Sequence, residues 1–134
     1  MASRRVLVVD DEPLIRWSLT ERLRADGHEV LEAESAAEAL EKAASGVDLV
    51  LLDYKLPDED GLSVLRKIRE IDPDTLVIML TAHKGVEMVV VAMKAGAFDY
   101  ATKPFDLDDV AVRGVAGDRR PSAAVHSDSR LSYV

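Results

Sequence analysis

The chain has 134 residues, 48% hydrophobic and 31% charged, with a net charge of -8 and no cysteine. That length holds one domain with a real core, and the acidic balance excludes a nucleic-acid surface within this chain. Disulfides, thiolate metal sites and cysteine nucleophiles are excluded too, and the apolar run near the N-terminus, 6–9, is too short for a signal-peptide core or a membrane span, so a cytoplasmic protein is expected.

Val6-Leu7-Val8-Val9 reads as a buried strand ending in Asp10, Asp11 and Glu12. Pro13 suits the first turn of a helix, Ile15, Leu19 and Leu23 recur at helical spacing, and Gly27 supplies the stop. Trp17, beside Ile15, is expected to pack partly buried. Val30 and Leu31 give a short second strand. Ser35, with Glu38 three residues on, forms a capping box, and Ala39, Leu40 and Ala43 form the stripe of a second helix. Leu49-Val50-Leu51-Leu52 is the third strand and runs straight into a lone carboxylate, Asp53. The loop Leu56-Pro57-Asp58-Glu59-Asp60-Gly61 follows. Leu62, Leu65 and Ile68 continue as a helix that Asp72-Pro73 breaks. Residues 76–80 form a fourth strand ending in Thr81.

Residues 86–95 are ambiguous, since Val89-Val90-Val91 suits a strand. Their length, Gly96 and their place between strands favour a helix, with Val86, Val90 and Met93 inward and Met88, Val91 and Ala95 outward. Residues 98–101 form a fifth strand before Lys103-Pro104. A last helix spans 106–115, with a stripe of Leu107, Val110, Ala111, Gly114 and Val115. Strands and helices alternate five times. The expected fold class is therefore α/β, a doubly wound parallel sheet with right-handed crossovers and helices on both faces. Residues 1–117 are expected to form the domain. Residues 118–134, with no apolar period, are expected to be a flexible C-terminal tail.

The strand ends collect Asp10 and Asp11, Asp53, Thr81 and Lys103 on one sheet edge, where ligand chemistry gathers in such folds. Singly, each has a bland reading as a cap or turn residue. Crowded carboxylates repel unless a cation is present. Oxygen ligands without His or Cys suit Mg²⁺. A lysine offers a point charge to a phosphoryl oxygen, Thr81 a hydroxyl, and a carboxylate can attack phosphorus. The set fits in-line phosphoryl transfer, where positioning and charge neutralisation do most of the catalysis.

The acidic pair, Asp53 in Asp53-Tyr54-Lys55-Leu56-Pro57, Thr81-Ala82-His83, Tyr100 and Lys103-Pro104-Phe105 together resemble the receiver domain of two-component response regulators, over about residues 4 to 110. Ile15-Arg16-Trp17 and the stretch from Ala92 to Tyr100 look most like NtrC-type, sigma-54-dependent regulators. The resemblance implies a flavodoxin-like or CheY-like sheet of order 2-1-3-4-5 and a cis peptide at Pro104. Asp53 would be the phosphoacceptor, taking its phosphoryl group from a sensor histidine kinase. Mg²⁺ would be held by Asp10, Asp11, Asp53 and the backbone carbonyl of Lys55. Lys103, Thr81 and Tyr100 would act as catalytic and switch residues, with Tyr100 filling the space that Thr81 vacates. The family is not one of metabolic enzymes, beyond intrinsic autophosphorylation and autodephosphorylation. A homodimer through the face made by the fourth helix, fifth strand and fifth helix is expected, as is transcription regulation through an output domain outside these residues. Lys55 and His83 are places where family members tune phosphoaspartate hydrolysis.

Three alternatives stand beside this. A haloacid dehalogenase-type phosphatase needs a second Asp two residues after the first, where this chain has Lys55. A stand-alone single-domain phosphorelay protein needs no output domain. A phosphorylation-independent interaction module would leave the acidic cluster unused.

Overall fold

The computed structural model describes residues 3–82 and 85–117. Five strands alternate with five helices: β1 (Arg5–Val9), α1 (Pro13–Ala25), β2 (Glu29–Ala33), α2 (Ala36–Ala43), β3 (Leu49–Asp53), α3 (Gly61–Ile71), β4 (Leu76–Thr81), α4 (Val86–Lys94), β5 (Asp99–Thr102) and α5 (Leu107–Gly117). All strand pairs are parallel, in the order β2-β1-β3-β4-β5. This is the doubly wound α/β sheet expected from the alternation.

The central strands are apolar on both faces because each face meets helices. Leu7, Val9, Val50, Leu52, Val77 and Met79 point to one core, which Val64, Leu65 and Ile68 of α3 and Ala39 of α2 complete. Val6, Val8, Leu49, Leu51, Ile78 and Leu80 point to the other, with Leu19 and Leu23 of α1 and Val110 and Ala111 of α5. The strict alternation along each strand follows from the two-residue period of the pleat.

Several sequence expectations shift. β2 runs from Glu29 to Ala33, longer than the two apolar residues indicated. Its outer positions are polar because it is an edge strand. Trp17 is 59% exposed rather than partly buried. The inward residues of α1 are Leu19, Thr20 and Leu23, and at about 100° per residue Trp17 lies opposite Leu19.

The helix chosen for residues 86–95 is present, with Met93 inward and Val91 outward as expected, but the rest of its phase differs. Ala92 is its buried residue, Val86 is 76% exposed and Val90 43%. Ala95, expected outward, packs with Met93 on the core. Met88 and Ala95 share a face with Ala92 at helical spacing, while Val90 is two residues away and turned outward. The apolar run 89–91 carries no period, so the sequence alone left the phase open.

In α2, Ser35 Oγ accepts from the Glu38 N–H at 3.2 Å, while Glu38 reaches the Glu34 N–H at 3.1 Å rather than that of Ser35. Val110 and Ala111 of the last stripe are buried and Leu107 packs beside them. The burial of Gly114 and Val115, and residues 118–134, lie outside what the structure describes. No helix among the described residues is long and apolar enough to cross a membrane.

Candidate functional site

Sheet register lines up the functional side chains. Val9 pairs with Leu52, Asp53 with Leu80 and Thr81 with Thr102. The residue after β1, the last residues of β3 and β4, and the residue after β5 thus reach one edge. Three backbone bonds continue the ladder past the strand ends: Asp10 N to the Ala33 carbonyl at 3.1 Å, Tyr54 N to the Leu80 carbonyl at 2.8 Å and Lys103 N to the Thr81 carbonyl at 2.7 Å.

The edge opens into a cleft of about 740 Å³ lined by Asp11, Glu12, Asp53, Lys55, Thr81 and Lys103, among others. Asp10, Asp11 and Asp53 each offer a carboxylate oxygen, all within 4.8 Å of one another. Asp10 is wholly buried and Asp53 4% exposed; Asp11 faces the cleft. Asp10 Oδ1 accepts the Glu12 N–H at 2.9 Å, which folds the turn after β1 around the acidic pair. Lys103 Nζ lies 2.9 Å from Asp10 Oδ2, 3.2 Å from Glu12 Oε1 and 3.3 Å from Asp53 Oδ2.

The loop after β3 is drawn tight. Asp53 Oδ1 accepts the Lys55 N–H at 3.4 Å. Lys55 and Asp60 form an antiparallel bridge, and Gly61 N donates to the Tyr54 carbonyl at 2.6 Å. Leu56 is buried in the core. Asp58 accepts from the Ala36 and Ala37 N–H groups at 2.8 and 3.1 Å, tying this loop to the start of α2. The Lys103–Pro104 peptide is cis.

Burial pushes the Asp53 carboxyl up to about 6, and the Asp10 charge adds to it; Lys103 and the Lys55 N–H only partly offset the rise. For Lys103 burial acts downward, but the Asp10 hydrogen bond, the charges of Asp10 and Asp53 and the Glu12 hydrogen bond outweigh it and hold the ammonium above its ordinary value. Burial raises the Tyr100 phenol, against a side-chain hydrogen bond with Thr81. Three carboxylates against one lysine leave an excess of negative charge at hard oxygen donors. That donor set fits a divalent ion of the Mg²⁺ type.

The chain matches the response regulator receiver domain family over residues 6–113. It belongs to that family. The receiver family is one of phosphoacceptors that bind Mg²⁺ at an acidic pocket, not of metabolic enzymes. The chain is 43% identical over 119 residues to the virulence transcriptional regulatory protein PhoP of Salmonella typhimurium, covering 88% of this chain and 53% of PhoP. It is also 43% identical over 105 residues to the DNA-binding transcriptional regulator NtrC of Escherichia coli, covering 78% of this chain and 22% of NtrC. Similarity to NtrC-type regulators therefore stands, beside an equal identity to PhoP. The chain spans about half or less of the length of these relatives.

Among solved structures, the BeF3-activated DrrB receiver domain superposes with a TM-score of 0.83 at 33% identity, covering 89% of this chain and all of that one; DrrB is a Thermotoga maritima protein. A Burkholderia pseudomallei response regulator with a phosphorylated aspartic acid, calcium ion and citrate superposes with a TM-score of 0.80 at 25% identity, over 97% of this chain and 75% of that one.

The receiver edge brings together the residues read from the sequence: Asp10, Asp11, Asp53, Lys55, Thr81 and Lys103, with Tyr100 reaching Thr81. His83 lies outside the described residues. Sequence reasoning passed over Glu12 as a partner of Lys103, although it directly follows the acidic pair. It also passed over Asp58 as a tie between loop and helix. Nothing in local spacing links Asp58 to Ala36, 22 residues earlier.

Proposed function

We propose that this receiver domain takes a phosphoryl group onto Asp53 from a phosphohistidine on a sensor kinase. The observation that carries the reading is the buried Asp53 carboxylate, within 4.8 Å of two further acids and 3.3 Å from Lys103. Asp10, Asp11, Asp53 and the Lys55 carbonyl would hold Mg²⁺, which when bound neutralises the acids and the incoming phosphoryl oxygens. An Asp53 carboxylate oxygen attacks phosphorus in line. The bond from phosphorus to the imidazole nitrogen breaks, and its electron pair leaves with the imidazole. Lys103 meets a phosphoryl oxygen and Thr81 donates its hydroxyl to another. Water attack on the same phosphorus later returns Asp53 and inorganic phosphate. The phosphorylated aspartic acid of the B. pseudomallei response regulator supports this assignment by analogy.

On the same reading, phosphorylation draws Thr81 inward, Tyr100 follows, and the face of α4, β5 and α5 changes. Val86, Val90 and Val91 are exposed on that face, and a second copy of this chain is its proposed partner. Residues 1–117 form the receiver unit. We also propose a cytoplasmic setting and transcriptional output through a further domain, which the naming of its relatives as transcriptional regulators supports.

Incubation with acetyl phosphate and Mg²⁺, followed by intact mass, tests the proposal. The expected result is one Mg²⁺-dependent phosphoryl adduct that decays slowly. Continuous hydrolysis of phosphoesters would favour a phosphatase instead, and no adduct at all would favour a phosphorylation-independent module.

A further inference from the structure

Arg16, in the Ile15-Arg16-Trp17 stretch of α1, has no role in the mechanism above, yet it is held by three groups. Its Nη1 donates to the backbone carbonyl of Asp10 at 2.7 Å. Its Nε lies 3.3 Å from Glu32 Oε1, and its Nη2 3.6 Å from Glu34 Oε2. Its side chain is only 16% exposed. The guanidinium thus brackets the end of β2 and the turn after β1.

The accepting carbonyl belongs to the peptide that joins Asp10 to Asp11. Asp10 is already fixed by its own N–H on Ala33, by Glu12 N–H on Oδ1 and by Lys103 on Oδ2. Asp11, by contrast, is exposed, and the direction of its carboxylate depends on the plane of that peptide. Rotation of the plane would swing Asp11 out of the 4.8 Å cluster.

The geometry points to Arg16 as a positioning residue for the divalent-cation site, acting by fixing the Asp10–Asp11 peptide. This rests on the receiver reading of the three acids. Glu32 and Glu34 serve as its anchors, so the end of β2 takes part in shaping a site that it does not line. A planar fork can hold a carbonyl and two carboxylates at once; a lysine ammonium cannot keep that geometry.

Positioning and simple charge have opposite consequences. A cation beside an acidic cluster opposes Mg²⁺, so by charge alone Arg16→Ala would tighten Mg²⁺ binding and Arg16→Lys would leave it unchanged. If Arg16 positions the peptide, both variants bind Mg²⁺ more weakly, by about tenfold, as outer-shell partners of metal ligands do.

The test is calorimetric titration of the full chain with Mg²⁺, in wild type, Arg16→Lys and Arg16→Ala, with melting temperatures alongside. The concentration of Mg²⁺ giving half-maximal phosphorylation by acetyl phosphate should rise in parallel, while the rate at saturating Mg²⁺ changes less. Arg16→Lys keeps the charge and decides the matter if Arg16→Ala does not fold. Wild-type Mg²⁺ affinity in Arg16→Lys, or a lowered melting temperature with unchanged affinity, overturns the proposal and leaves the receiver reading intact. A wild-type chain that binds no Mg²⁺ and takes up no phosphoryl group overturns both.

Discussion

Gly61 shows how closely single residues define the site. A Cβ there would lie 2.6 Å from Tyr54 Cα and 2.7 Å from the Asp53 carbonyl oxygen. Both are backbone atoms at the end of β3 and neither can swing aside. Gly61→Ala is therefore expected to lower stability by about 1–3 kcal/mol, the usual cost of overpacking, and to displace Asp53. Denaturant unfolding would measure the first effect; a stability equal to wild type would show that the loop yields.

Asp58 makes a pH-dependent contribution. The Ala36 N–H, then that of Ala37, hold its carboxyl below the ordinary range. Ionised Asp58 thus stabilises the fold above about pH 4, and that stabilisation is lost as pH falls through its depressed folded value. Asp58→Asn should melt earlier than wild type at neutral pH, with the gap closing in acid. A gap that stays constant across the acid range would remove charge from the explanation.

At the scale of elements, α4 divides what the sequence shows from what it hides. Its existence was legible from length, Gly96 and its place between strands. Its inward face was not, because valines at 89, 90 and 91 satisfy any helical phase. Tertiary packing chose Ala92, a small residue that lets the helix approach the sheet, and left Val86, Val90 and Val91 outside. The strands were easier, since apolar runs bounded by Gly, Asp and Pro have few other readings. The functional edge was legible for a related reason. Asp10, Asp53, Thr81 and Lys103 each stand at or just past the end of an apolar run, and parallel register brings such ends together. Arg16 and Asp58 were illegible, because their partners lie on other elements. If the exposed valines bind a second copy of the chain, Val91→Glu should reduce self-association in sedimentation velocity while leaving phosphorylation unchanged. A concentration-independent profile for both proteins would argue against that partner.

For the whole molecule, the buried core residues among those described run from Val6 to Ala111, and the family match ends at residue 113. The boundary proposed at residue 117 places nothing essential to the fold beyond it. Removing residues 119–134 should leave the melting temperature nearly unchanged, and a fall of many degrees would move the boundary. The proposed mechanism turns on one atom-level event, transfer of the phosphoryl group to Asp53. Borohydride reduction of the acetyl phosphate-treated chain converts an aspartyl phosphate to homoserine, which peptide mass spectrometry locates. Homoserine is expected at position 53 alone, only when Mg²⁺ is present, and not at all in Asp53→Asn. Homoserine at Asp10 or Asp11, or labelling of Asp53→Asn at the wild-type rate, would contradict that mechanism.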